Sequence, residues 1–98
     1  MNDSKQEDAA METNAVLVNP KDNVAVAIQE IKSGEPIVGI EGVEVRANED
    51  IMRNHKVAIA EVAEDGPVLK YGETIGYASK LVRPGDWVHA HNMKWEED

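Results

Sequence analysis

The chain has 98 residues, no cysteine, no phenylalanine, two Trp and two Tyr, and a formal net charge of −9. One domain at most fits this length, and its thin core of Val, Ile, Leu and Ala suits a flat β architecture leaning on a partner better than an enzyme with a deep cleft. The lack of Cys excludes disulfide and thiolate chemistry, and an acidic chain without a basic stripe excludes nucleic acid and anionic lipid as partners.

Residues 1–13 carry −3 and residues 93–98 carry −2 of the charge. The first twelve, without periodicity, predict a disordered acidic tail; residues 13–93 predict the folded domain, and 94–98 a second acidic tail. The N-terminus lacks a signal-peptide pattern and no apolar run reaches membrane length, so the expected location is the cytoplasm. Ala15–Val18 reads as a short strand, and Asn19-Pro20-Lys-Asp-Asn23 as a turn. In the next segment Val24, Val26 and Ile28 alternate with Ala25 and Ala27, which predicts a strand with a close neighbour on its Ala side.

A weak repeat follows: apolar, two residues, Gly, two residues, apolar. It occurs at Ile31-Lys-Ser-Gly34, Ala63-Glu-Asp-Gly66 and Val82-Arg-Pro-Gly85, with a fourth copy at Ile51-Met-Arg-Asn54 in which Asn replaces Gly. Each predicts a tight turn dropping an aliphatic residue into the core, since Gly and Asn best tolerate a left-handed backbone. The period is irregular, near 20 residues at best, so the chain is not a solenoid. Between the turns, strands are expected at Ile37–Ile40, Val43–Arg46, Lys56–Ala60, Val68–Tyr71, Ile75–Ser79 and Trp87–His91. Only Ala47–Arg53 suits a helix, as one turn capped by Asn48. The pattern predicts an all-β barrel or sandwich-like domain.

The chemistry concentrates in Gly85-Asp-Trp-Val-His-Ala-His-Asn92, which holds two of the three histidines. On an extended strand Trp87, His89 and His91 share one face, with the imidazoles roughly 6.5–7 Å apart. His89 and His91 could ligate one metal, with His55 as a third nitrogen ligand; the plainer alternative is two solvated imidazoles. Lys70-Tyr71-Gly72 could bind a carboxylate through Lys70 and donate a proton or hydrogen bond from Tyr71, or Tyr71 could simply cover the core edge. The nineteen carboxylates form no convincing catalytic pair, and no phosphate loop or nucleophile elbow is present.

Asn54-His-Lys-Val-Ala58, Lys70-Tyr-Gly-Glu-Thr-Ile-Gly76 and Gly85–Asn92, in this order, resemble the SAF domain of the altronate and galactarate dehydratase family. The resemblance covers residues 13–93 and departs from the family pattern at Asn54, where Gly usually precedes the first histidine. It implies a β-clip fold and the small subunit of a lyase, as in split altronate dehydratases or the sulfolactate sulfo-lyase alpha subunit. It implies that His55, His89 and His91 are catalytic, that Lys70, Tyr71 and Asn92 bind the hydroxy-acid substrate, and that His89 and His91 are candidate metal ligands. A divalent metal such as iron would be held mainly by a large catalytic partner, because an acidic chain cannot gather the donors that a dianionic intermediate needs. The isolated chain is then expected to be inactive, and a homo-oligomer is left open. Two other readings compete: a non-catalytic SAF-type binding module, and a self-contained cupin-type metal enzyme.

Overall fold

A computed structural model describes residues 13–95. The expected tail at 1–12 lies outside the described residues, as do the last three residues. Seven short strands form: β1 (Ala15–Val16), β2 (Val24–Ala27), β3 (Lys56–Ala58), β4 (Pro67–Lys70), β5 (Glu73–Ala78), β6 (Trp87–Val88) and β7 (Met93–Lys94). They make two antiparallel sheets, β1-β2-β3-β6 and β4-β5-β7. The all-β expectation holds: the described residues contain no helix, and so none long and apolar enough to cross a membrane.

Central strands β2 and β3 send alternate residues into two separate cores. Ala25, Ala27 and Val57 join Ile31, Ile37, Ala47 and Ile51 in one. Val24 and Ala58 join Val62, Val68, Val82, Val88 and Met93 in the other. The Ala side of β2 does meet a close neighbour, whereas Val26 is half-buried and Ile28 is exposed.

The turns pair up, and this explains the irregular repeat. Ile31 bridges Ile51 around one hairpin, and Val62 bridges Val82 around another, so a span of about 20 residues lies within each arm. The second arm repeats the first with a constant offset of 31 residues, from Ile31 to Val62 and from Ile51 to Val82. Backbone bonds follow the same offset: Gly34 N to Ala47 O recurs as Asp65 N to Ala78 O, and Asn54 N to Ala27 O as Gly85 N to Ala58 O. Each hairpin is also held by one asparagine side chain. Asn14 donates to Pro36 O and accepts from Val38 N; Asn23 does the same with Pro67 O and Leu69 N.

This register corrects the third turn. Its left-handed residue is Asp65, at φ 70°, and its buried residue is Val62, so the copy begins one residue earlier than Ala63. Gly66 is small for another reason: a Cβ there would meet Ala63 O at 2.9 Å. The expected helical turn over Ala47–Arg53 is absent, because Ile51 is bridged to Ile31 and Asn48 donates to Pro84 O and Asp86 instead of capping. The strands expected at Ile37–Ile40 and Val43–Arg46 shrink to a single Pro36–Arg46 bridge. Gly39 and Gly42 take positive φ there, and the Thr13 side chain fills the space beside Gly39.

Several carboxylates accept backbone hydrogen bonds. Buried Asp22 accepts from Asn19, Tyr71 and Gly72, tying the turn after β1 to the β4–β5 tip. Glu35, Glu49, Asp50 and Asp86 accept from Lys32, Trp87, Ser33 and Arg83 respectively.

Candidate functional site: three histidines around Trp87

β3 and β6 pair antiparallel with Val57 opposite Trp87. Both side chains lie on the side of the first core, and the adjoining turns bring the three imidazoles to the same place. The His55 centroid lies 5.6 Å from Trp87 and 5.2 Å from His89. His89 stacks on the indole at 5.3 Å with an 11° interplanar angle, and His91 tilts against it at 4.8 Å. His55 is half-buried; His89 and His91 are exposed. Trp87 Nε1 donates to His55 Nδ1 at 3.0 Å.

The clustering does not arise from the expected strand. β6 ends at Val88, and residues 89–92 form a turn in which Asn92 N donates to His89 O. Asn92 takes the place of a strand neighbour: its side chain accepts from His89 N at 2.9 Å and donates to Trp87 O at 2.8 Å. It is only 3% exposed, so the structure gives it the work of holding His89 and Trp87 in position. Asn92→Ala leaves two backbone groups without partners and is expected to cost about 1–3 kcal/mol, read from the urea midpoint, while also disturbing the ring cluster.

The donor set does not fit a self-contained metal centre. His55 Nδ1 is occupied by the indole N–H, Glu49 is tied to Trp87 N and Asp86 to Arg83 N. Among the described residues no group of three or more His, Asp or Glu side chains is arranged to hold an ion.

Lys70 and Tyr71 have a different setting. Tyr71 is 57% exposed rather than packed over a core edge, and it sits at φ 61°, an uncommon conformation for an aromatic residue. Lys70 Nζ stands 4.7 Å above its ring. Lys56, which the sequence reading passed over, belongs with this pair. It lies on β3 between Val26 and Val88, facing away from Val57. Burial first, then the Lys70 charge, hold its ammonium below the usual lysine range. Two neighbouring lysines without an ion pair among the described residues, in a chain of net charge −9, suit an anionic group. The only sequence signal was Lys56's place next to His55.

Lys56→Met tests the desolvation directly. Because the folded-state pKa is lowered, the charge penalises folding below that value, and the penalty fades as pH rises from there to 10.5. The variant is expected to be more stable than the parent at pH 7, with the difference shrinking in alkali; urea midpoints across that range measure it.

His89 and His91 reach the surface, while His55 is half-buried. Neither of two shallow hollows includes a histidine: one lies beside Thr74, Tyr77 and Trp95, the other beside Pro36, Val43 and Arg46. Met52 O accepts from His55 N, and the Met52 side chain is 59% exposed.

Two small antiparallel sheets with paired tight turns and a surface ring cluster define a small β-clip domain of the SAF type. The chain belongs to the altronate/galactarate dehydratase SAF domain family, whose model matches residues 13–96. It is 35% identical over 79 residues to altronate dehydratase of Bacillus subtilis (strain 168), covering 81% of this chain and 16% of that protein. The altronate dehydratase of Escherichia coli (strain K12) is 37% identical over the same shares. The (2R)-sulfolactate sulfo-lyase subunit alpha of Chromohalobacter salexigens is 31% identical over 90 residues, covering 86% of this chain and 96% of that protein. The chain thus spans about one sixth of each dehydratase but nearly all of the sulfo-lyase subunit.

Proposed function

We propose that this chain is the small subunit of a sugar-acid dehydratase of the altronate/galactarate type. Its His55, His89 and His91 contribute to an active site that a large catalytic subunit completes. The observation that carries the reading is the gathering of all three imidazoles around Trp87, with His89 and His91 exposed. Groups meant to act on a substrate need water excluded and the substrate held, and here a second chain must supply both walls. The divalent metal implied by the family resemblance is held mainly by that chain.

The reaction takes a proton from the carbon alpha to the carboxylate and expels hydroxide from the beta carbon, which leaves as water once protonated. A 2,3-dihydroxy acid becomes a 2-keto-3-deoxy acid after the enol tautomerises. Imidazoles suit both proton transfers. Lys56 turns away from Val57 and so from the histidine side of β3; with Lys70 and Tyr71 it offers positive charge and a hydroxyl to an anionic group on that other face.

One observation favours a second reading within the same lyase class: the similarity to the sulfo-lyase alpha subunit runs over 96% of that protein. Sulfite would then leave from the beta carbon in place of hydroxide. The test is to purify the chain with whatever large subunit accompanies it and to assay altronate, galactarate and sulfolactate with and without that partner. Water loss from a sugar acid by the pair alone supports the first reading, and sulfite release the second. Turnover by the isolated chain refutes both.

A further inference from the structure

Resting on that reading and deepening it, we infer that Trp87 fixes His55 as a neutral hydrogen-bond donor, so that His55 offers Nε2–H to an anionic oxygen of the substrate and is not the base. The argument begins with the indole. Its Nε1–H can only donate, and it points at His55 Nδ1 at 3.0 Å. Nδ1 must therefore present its lone pair, and a neutral imidazole so engaged carries its hydrogen on Nε2.

The consequence is the reverse of a carboxylate–histidine pair. There the carboxylate accepts from Nδ1–H and leaves Nε2 with a lone pair to take a proton. Here Nε2 is already protonated and has none to offer. The other tautomer would set two donors face to face at 3.0 Å and strand the indole N–H, which biases the ring roughly tenfold or more. An N–H held in this way suits a carboxylate or an enolate oxygen, where negative charge grows during removal of the alpha proton. Among the three imidazoles the base is then His89 or His91, whose ring nitrogens accept no hydrogen bond from Trp87: His89 meets the indole face to face, and His91 is tilted against it.

Trp87 is thus a positioning residue that acts through His55. Nitrogen-15 NMR of the full chain at a pH of about 9, well above the ordinary imidazole range, reads the tautomer without substrate or partner. The expected His55 signals are pyridine-like at Nδ1 and pyrrole-like at Nε2; the opposite pattern overturns the inference. In Trp87→Phe, which keeps a ring but loses the N–H, the tautomers should relax from nearly pure Nε2–H toward the mixture of an unconstrained histidine side chain. An unchanged pattern there removes Trp87 as the cause, and if that variant does not fold, the parent spectrum still decides.

The role is tested in the reconstituted enzyme. His55→Gln retains an amide N–H but no base, so it should keep at least about tenfold more kcat/KM than His55→Ala. Equal losses overturn the donor role. If the parent pair shows no lyase activity on any of the three acids, the proposed function fails while the NMR result stands by itself.

Discussion

His89→Ala is expected to lower kcat/KM of the reconstituted enzyme by two to four orders of magnitude, about 3–6 kcal/mol of transition-state stabilisation. His89 is singled out because it touches both other members of the cluster's core, lying 5.2 Å from His55 and stacked 5.3 Å from Trp87. Among the described residues His91 makes a ring contact with the indole and with neither other imidazole, so His91→Ala should lose less, about tenfold. Both side chains are exposed, and neither substitution should move the urea midpoint by more than about 0.5 kcal/mol. A kcat/KM within threefold of the parent for His89→Ala would remove this imidazole from the chemistry.

The largest effect on stability is expected at Gly85. Its φ of +96° is one that L side chains rarely adopt, and a Cβ there would collide with Arg46 O. Gly85→Ala therefore combines left-handed strain with a forced backbone shift, for a total of about 2–4 kcal/mol. The shift also reaches the site. Gly85 O accepts from Asn48 N, Asn48 donates to Asp86, and neighbouring Glu49 holds Trp87 N, so displacing this loop loosens the indole that anchors His55. The equivalent position of the first arm, Asn54, already bears a side chain at φ 73°. Asn54→Gly should consequently be neutral or slightly stabilising. Equal costs at the two positions, by urea or thermal unfolding, would contradict the collision as the cause.

The sequence disclosed the class of fold through its punctuation. Asn54 and Gly85 were legible as left-handed turn residues because few side chains tolerate that backbone, and Ile31, Ile51 and Val82 as core residues because each precedes such a turn. Asp65 was not legible, since the glycine next to it is the stronger local signal and only the Val62–Val82 bridge sets the register. Long-range partners were equally hidden. Nothing local says that Asp22 will collect the amides of Tyr71 and Gly72, or that Glu49 will hold Trp87.

For the candidate site, the three histidines and Trp87 were visible as residue types, and the alternation argument brought Trp87, His89 and His91 together for a partly mistaken reason. They gather because Asn92 folds a turn beneath them and not because a strand runs on to His91. Asn92 itself stood out for its amide, but its burial depends on tertiary context. Lys56 was overlooked because an alternating strand says nothing of which lysine will meet another across the domain.

The 31-residue offset has a consequence for how this scaffold could change its chemistry. Corresponding positions divide into those that match and those that do not: Ile31 with Val62, Ile51 with Val82 and Val57 with Val88 are aliphatic in both arms, while His55 faces Asp86, Lys56 faces Trp87 and Ala58 faces His89 in the alignment. Cohesion rests on the matched set, and reactive side chains come from the mismatched one. A twofold frame of this kind lets one seam be rewritten, residue by residue, while its twin keeps the molecule upright.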